Sequence, residues 1–358
     1  MAKLKIGIIG TGGIAHAHLN SYKAIDEVEV VAGCDIVPGK AKEFFKRNDV
    51  PGAQAFDSKE EMLKNVKLDA VSVCTYNATH SECAVFALEN GLHVLCEKPL
   101  SVTLEQGIAM VKAEKKSGKI LSVGFQPRYD VNWQKVGEII KSGELGKIYY
   151  VQTGGGRRSG MPGGNFINKK TAGAGCLADI GCYSLDFAMH SIGYPKPLTV
   201  SATSFDYFGK AAFGDEFQVD DFAGAFIRLE GGITLDFRMS WKMNMDTTGD
   251  FIFLGTKAGL KVKQPGLGTW GGAWDGPVGE IRLFHEICGV LTDTLVPLAE
   301  NNGPGLFEKK VRAFVNAVIN KGPAPIPTSQ ILYNQAIIDG IQRSHAACKE
   351  VDIVIENI

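Results

Sequence analysis

Three groups of residues in this chain have the types and spacing to do chemistry. The first is the run Lys5-Ile6-Gly7-Ile8-Ile9-Gly10-Thr11-Gly12-Gly13-Ile14-Ala15. Its G-x-G-x-x-A pattern falls on Gly10, Gly12 and Ala15. Gly10 permits a tight turn, Gly12 lets backbone approach a diphosphate, and Ala15 lets a helix pack closely on a strand. A diphosphate would sit against the N–H groups of the helix that follows. Asp35 ends the next apolar run, 25 residues after Gly10. A carboxylate there can accept hydrogen bonds from ribose hydroxyls and would repel a 2′-phosphate. The residues after it, Ile36-Val37-Pro38, offer no arginine for such a phosphate, and Lys40 is a weak substitute. NAD is therefore expected over NADP.

The second group is Cys96-Glu97-Lys98-Pro99-Leu100. Lysines are ordinarily solvated surface residues. Lys98, however, directly follows an apolar strand of the nucleotide-type region and is pinned between Glu97 and Pro99, which limits its backbone freedom. Its charge could depress the pKa of a neighbouring phenol or alcohol. The third group is Ala178-Asp179-Ile180-Gly181-Cys182-Tyr183-Ser184-Leu185-Asp186. On a helix, Asp179 and Tyr183 are i and i+4 and share a face. Asp at a helix start is more commonly a cap, and Tyr183 could equally be a core residue.

The elements that must hold these residues are readable from periodicity. Lys5–Ile9, Val28–Asp35, Asp69–Thr75, His93–Glu97 and Ile120–Phe125 are short apolar runs suited to strands buried on both faces. Helical patterns lie between them at Gly13–Ile25, Pro38–Asn48, Thr79–Asn90 and Thr103–Ser117, with Gly91 and Gly118 as stops. Repeated β-α-β units predict a doubly wound parallel sheet over residues 1–125. The character changes in 126–358. A helix Val131–Ser142, a strand from Ile148 and a helix from Ala178 to Ile192 precede longer period-2 strands: Leu198–Phe208, Asp221–Leu229, Ile233–Lys242 and Phe251–Val262. Gly231-Gly232 suits a hairpin turn. Lys263 to Gly305 reads as an irregular insertion; helices Leu306–Asn320 and Gln330–Lys349 and a strand Asp352–Ile355 end the chain. The second domain is thus expected to be α+β with an open, mostly antiparallel sheet.

Bulk properties exclude several classes. A chain of 358 residues is long for one core, and two domains are the prior. A net charge of -1 with scattered lysine and arginine leaves no footprint for nucleic acid. No apolar run reaches the roughly 18 residues of a membrane span, and the opening residues, which lack a longer apolar region and a small-residue cleavage site, lead to the expectation of no signal peptide. The eight cysteines form no C-x-x-C pair and the seven histidines lack ligand spacing, so no metal is expected and a reduced, cytoplasmic setting is.

Taken together, these motifs resemble the Gfo/Idh/MocA oxidoreductases, the family of glucose-fructose oxidoreductase and inositol dehydrogenase. The resemblance spans essentially the whole chain. It rests on the glycine-rich opening, on Thr75-Tyr76-Asn77-Ala78-Thr79-His80, on Glu97-Lys98-Pro99, on Gly175-Cys176-Leu177-Ala178-Asp179-Ile180-Gly181-Cys182-Tyr183 and on Gly255-Thr256-Lys257-Ala258-Gly259. It implies an NAD-dependent enzyme acting on a hydroxyl carbon of a sugar, glycoside or cyclitol, with Lys98, Asp179 and Tyr183 as the catalytic group. It implies a cofactor site of Gly10, Gly12, Gly13, Ile14, Asp35, Thr75, Asn77, His80, Glu97, Lys98 and Gln126. Arg128, Arg157, Arg158 and Asn165 would join Asp179 and Tyr183 around a carbohydrate substrate. A homodimer or homotetramer through the open sheet is implied too. Tyr183 stands where the commonest members have histidine, so the acid/base would be a phenol; a free phenol, with a pKa of about 10, needs Lys98 nearby to work at neutral pH. Tyr76 replaces a common proline. Two other functions share the same pocket: a sugar sensor that binds NAD without turnover, and an NAD-dependent glycosidase.

Overall fold

The computed structural model describes residues 3–244, 250–263 and 278–356. Cα packing divides the chain into two units, one made of the residues up to 126 with 303–332, the other of 127–302 with the segment from 333.

The first unit is built on strands β1 (Leu4–Ile9), β2 (Val28–Cys34), β3 (Gln54–Phe56), β4 (Ala70–Val73), β5 (His93–Cys96) and β6 (Leu121–Val123). They form a six-stranded sheet in the order β3-β2-β1-β4-β5-β6, and every pairing is parallel. The order reverses between β1 and β4. In such sheets, ligands bind beyond the carboxyl ends of the strands at that reversal. Helices α1 (Gly13–Lys23), α2 (Lys40–Arg47), α3 (Lys59–Asn65), α4 (His80–Glu89) and α5 (Leu104–Ser117) connect the strands. β3 and α3 were not expected from the sequence. β3 has only three residues and none of them is buried, so it leaves no apolar run to read. Gly91 and Gly118 end their helices with φ of 77° and 65°, and the Thr103 hydroxyl caps α5.

The second unit contains α6 (Val131–Lys141), β7 (Ile148–Gly156), α7 (Lys169–Ala172), a π-helical turn Leu177–Gly181, α8 (Cys182–Ser191), β8 (Pro197–Phe205), α9 (Tyr207–Phe213), β9 (Phe222–Leu229), β10 (Ile233–Ser240), β11 (Phe251–Gly255), β12 (Gly259–Lys263), β13 (Glu280–Ile287) and β14 (Val290–Val296). Its nine-stranded sheet runs β14-β13-β12-β11-β7-β10-β9-β8-β15, closed at one edge by β15 (Val351–Asp352). Among the described residues of this sheet, only the β7–β10 pairing is parallel. Gly231 and Gly232 take φ of 79° and 77° in the β9–β10 turn. Trp133 meets Phe187 at a tilt and Phe187 meets Phe251 edge-on, with centroids 4.0 Å and 4.4 Å apart, where α6 and α8 cover the sheet.

The structure corrects several expected boundaries. Phe251–Val262 is a hairpin of two strands rather than one, because the chain turns at Thr256-Lys257-Ala258 and β11 pairs antiparallel with β12. The stretch read as irregular carries the β13–β14 hairpin, whose strand β14 buries no residue, Val290, Leu291 and Leu295 all being exposed, and so shows no one-sided pattern; residues 264–277 lie outside those described. Phe208 belongs to α9, not to the preceding strand.

The last two helices are α10 (Leu306–Ile319) and α11 (Thr328–Ala347). The sequence reading placed all of 126–358 in the second domain, whereas α10 belongs to the first unit. Val311, Phe314, Val315 and Val318 form its apolar stripe and pack with Ile6, Tyr22, Ile25, Val28 and Leu95. Each such burial contributes about 1.5–3 kcal/mol. Periodicity reveals the stripe but not which sheet it covers.

Candidate active site

In the first unit, the turn after β1 is shaped as the motif requires. Gly10 has φ 85°, and a Cβ on it would lie 2.8 Å from the Cys74 carbonyl oxygen. A Cβ on Gly12 or Gly13 would meet no atom within 4 Å, and no side chain caps α1. The space beside Gly12 and Gly13 at the start of α1 is thus open, as an anionic diphosphate at a helix N-terminus needs. Asp35 follows β2 and is 7% exposed. Its Oδ2 accepts from the Thr11 N–H at 2.9 Å, the Thr11 hydroxyl at 3.0 Å and the Lys40 ammonium at 3.0 Å; Oδ1 accepts from the Val37 N–H at 3.1 Å. Burial alone would raise the Asp35 carboxyl, but the Thr11 and Val37 N–H groups and Lys40 together hold it below the usual range. Lys40, weighed above as a phosphate ligand, is thus an ion-pair partner of Asp35.

Lys98 follows β5 at the carboxyl edge of the same sheet, and its backbone is gripped on both sides. Glu97 is 4% exposed; it accepts from the Lys310 ammonium at 2.6 Å and pairs with His18 Nε2 at 2.7 Å, while its Oε2 lies 3.3 Å from the Lys98 N–H. On the other side, the Pro99 carbonyl oxygen lies 2.8 Å from His80 Nδ1, and His80 Nε2 is 3.3 Å from the Thr75 carbonyl oxygen. His80 is buried, which pushes its pKa down, and its ring ties the chain after β4 to the chain after β5. Thr75 and Asn77 border this turn, Asn77 opening the short helical turn that leads into α4. Gln126 is buried at the end of the unit's first segment. The sequence reading missed His18, Ser72 and Lys310. A buried lysine so far along the chain has no local signature.

In the second unit, Asp179 and Tyr183 do not lie on one regular α-helix. Asp179 sits in the π-helical turn and Tyr183 in the first turn of α8. A π turn widens the spacing per turn and is frequent at functional sites. Asp179 is not a cap: its Oδ2 accepts the Trp241 indole N–H at 2.9 Å. Tyr183 is buried at 6% exposure. The turn itself is anchored by Asp220, whose carboxylate accepts from the Gly175 N–H at 2.8 Å and the Leu177 N–H at 3.0 Å. A Cβ on Gly175 would come within 1.8 Å of the Asp220 carbonyl, so only glycine allows that approach. Trp241 is placed by its own N–H, 2.9 Å from the Asp221 carbonyl. A pair of adjacent aspartates therefore sets both the Asp179 backbone and the donor to its side chain.

The remaining candidates separate. Arg128 is buried in a bidentate pair with Asp186, at 2.9 Å and 2.7 Å, and its guanidinium also reaches the Tyr194 hydroxyl. It fastens the turn Gln126–Tyr129 to α8, three residues beyond Tyr183. Arg128→Ala is expected to destabilise the protein by about 3–5 kcal/mol, because it strands a buried carboxylate; urea unfolding of the two proteins measures the difference. Arg157 is buried, its N–H bonding to the Ser240 carbonyl at 3.3 Å and its carbonyl to the Met243 N–H at 2.8 Å, which sets it beside Trp241. Arg158 and Asn165 are exposed on the same stretch of chain. No group of three or more His, Cys, Asp or Glu suited to a metal occurs among the described residues. Nor is any helix among them long and apolar enough to cross a membrane.

A glycine-turned parallel sheet with an acid after β2 and a lysine after β5, followed by a large mixed-sheet unit, defines a nucleotide-binding α/β protein with a second domain. Residues 4–125 match the oxidoreductase family with an NAD-binding Rossmann fold, and residues 133–261 match the GFO/IDH/MocA C-terminal domain. The chain belongs to the Gfo/Idh/MocA oxidoreductase family. Among curated relatives, it is 35% identical to D-glucoside 3-dehydrogenase of Escherichia coli over 72% of this chain and 77% of that one. It is 30% identical to myo-inositol 2-dehydrogenase of Thermotoga maritima over 53% of this chain and 55% of the other. The fold matches that of aldose-aldose oxidoreductase from Caulobacter crescentus, with a TM-score of 0.80 at 23% identity over 98% of this chain and 99% of that one.

Proposed function

We propose that this chain is an NAD-dependent dehydrogenase acting on a hydroxyl-bearing carbon of a sugar, glycoside or cyclitol. The observation that carries the reading is Lys98: a half-buried lysine at the carboxyl edge of a nucleotide-type sheet, its backbone held by Glu97 before it and by Pro99 after it. The names of the glucoside and inositol dehydrogenases to which the chain is related support the substrate class. Gly10, Gly12, Gly13 and Ile14 would hold the diphosphate against α1, and Asp35 the adenosine ribose, with Thr75, Asn77 and Gln126 along the rest of the cofactor. When bound, the nicotinamide supplies the hydride acceptor. Tyr183 takes the hydroxyl proton as general base, Lys98 lowers the phenol pKa and steadies the developing carbonyl oxygen, and Asp179 orients the substrate. Arg157, Arg158 and Asn165 contribute to substrate binding, and a homodimer or homotetramer forms through the open sheet. The test is a screen of NADH absorbance across inositols, aldoses and glycosides. No NADH from any of them, with NAD bound, would sink the reading.

The cofactor preference follows from Asp35. Its Oδ1 has one protein partner and so keeps capacity for a ribose hydroxyl, whereas a 2′-phosphate would face a carboxylate held in its charged form. Asp35→Ala is expected to lower kcat/KM with NAD by about tenfold or more, the worth of a hydrogen bond to a charged group, and to narrow the preference over NADP. Initial rates with the two cofactors measure both effects.

A further inference from the structure

The side chain that grips Lys98 from before belongs to a buried polar cluster that the proposed reaction does not use. Glu97 is enclosed by three elements. From α1, His18, fully buried, reaches its carboxylate; from α10, Lys310, 1% exposed, does the same; from the β6 side, a Cβ on Gly124 would lie 2.7 Å from Glu97 Oε1. Lysine is almost never buried this completely unless paired. The Lys310 ammonium also lies over the Phe307 ring, 4.0 Å from its centroid. Behind His18, Nδ1 is 3.0 Å from the Ser72 hydroxyl, which is 2.8 Å from the Tyr22 hydroxyl.

The ionised Glu97 can only accept, so His18 donates from Nε2, and Lys310 is the counter-cation of Glu97. With His18 neutral, Nδ1 accepts from Ser72, and Ser72 accepts from Tyr22. Burial and the Lys310 charge push His18 down. Burial would raise Glu97, but Lys310 and His18 outweigh it and hold the carboxyl far below the usual range. The other titratable groups facing the cluster are the Cys74 and Cys96 thiols, both pushed well up by burial, and His80, which burial pushes down.

We propose that Lys310 is a positioning residue for Lys98: its buried ammonium locks the Glu97 carboxylate, and with it the Glu97-Lys98-Pro99 turn, in one place. The inference rests on Lys98 being the reaction-centre lysine. A flexible side chain on a fixed backbone samples fewer positions, and small misplacements from outside the chemistry cost rate. Lys310 lies more than two hundred residues from the turn it steadies, so α10 helps build the site without entering it.

The experiment is a comparison of Lys98→Met, Lys310→Met and the double variant Lys310→Met/Glu97→Gln. Each is measured for kcat across pH with a substrate found in the NADH screen, and for NAD affinity by fluorescence. Lys310→Met leaves His18 and Glu97 to share a proton that they release as pH rises, after which the buried carboxylate has no cation. Its kcat is expected to fall about tenfold or more near neutrality, with an added one-proton decline toward high pH, while NAD affinity changes less than about threefold. The double variant has no carboxylate to strand. It is expected to keep the lower kcat, lose the added decline and fold even where the single variant does not. A wild-type kcat and pH profile in Lys310→Met, or in the double variant where only that folds, with Lys98→Met inactive, would overturn the proposal and leave the dehydrogenase reading standing. Retained activity in Lys98→Met would overturn both.

Discussion

Lys98→Met is expected to lower kcat by about a thousandfold or more while NAD binds nearly as well as before. Methionine keeps much of the stem length and removes the ammonium. Losing one well-placed electrostatic stabiliser of a developing charge costs roughly 10²–10³ in kcat. In the proposed reaction the same group also depresses the phenol pKa, so the upper part of that range or beyond is expected; a thousandfold corresponds to about 4 kcal/mol. The fold should tolerate the change. Glu97 keeps its partners His18 and Lys310, and Pro99 keeps His80. The diphosphate turn at Gly10–Gly13 and the Asp35 carboxylate lie on other strands, which is why NAD affinity should survive. Stopped-flow or steady-state NADH absorbance gives kcat, and protein fluorescence quenching gives the NAD affinity. A variant that still turns over at a tenth of the wild-type rate would remove Lys98 from the reaction.

The second large effect is expected from Tyr183. Tyr183→Phe deletes the proposed proton acceptor and should lower kcat by about 10²–10⁴, the usual worth of a positioned acid or base. The ring is buried on α8 and is retained, so the loss in stability should stay near the 1 kcal/mol scale of one hydrogen bond. Tyr183→His separates a base from a mere packing residue. An imidazole titrates near 6.5 where a phenol titrates near 10. The pH at which kcat/KM reaches half its plateau should therefore move to lower pH, with activity partly recovered relative to phenylalanine. A pH profile that stays where it was would show that the proton goes elsewhere.

How far these residues could be read from sequence depends on how local their causes are. Gly10, Gly12 and Asp35 were legible because one turn and the end of the next strand carry the whole pattern, and the turn's φ of 85° at Gly10 is written in the residue itself. Lys98 was legible because a proline and an apolar strand flank it. Asp179 and Tyr183 were singled out on an i, i+4 relation that assumed an α-helix. The π turn that carries Asp179 is anchored by Asp220, more than forty residues later, which accepts from the Gly175 and Leu177 N–H groups. Trp241 as donor to Asp179 was invisible for the same reason. Arg128 was placed near the substrate by the resemblance alone; its buried partners, Asp186 and Tyr194 on α8 and just beyond, leave no mark in its own stretch of sequence.

By itself, then, the sequence determined the fold class, the family and the strand ends on which the candidate residues sit, since hydrophobic period, glycine turns and short motifs act over a few residues. Only the tertiary structure decided which buried charges meet: Lys310 with Glu97 and Arg128 with Asp186. Each is a lysine or arginine like any other along the chain, and its partner is set by how a helix from elsewhere in the sequence packs, through forces that leave no local mark.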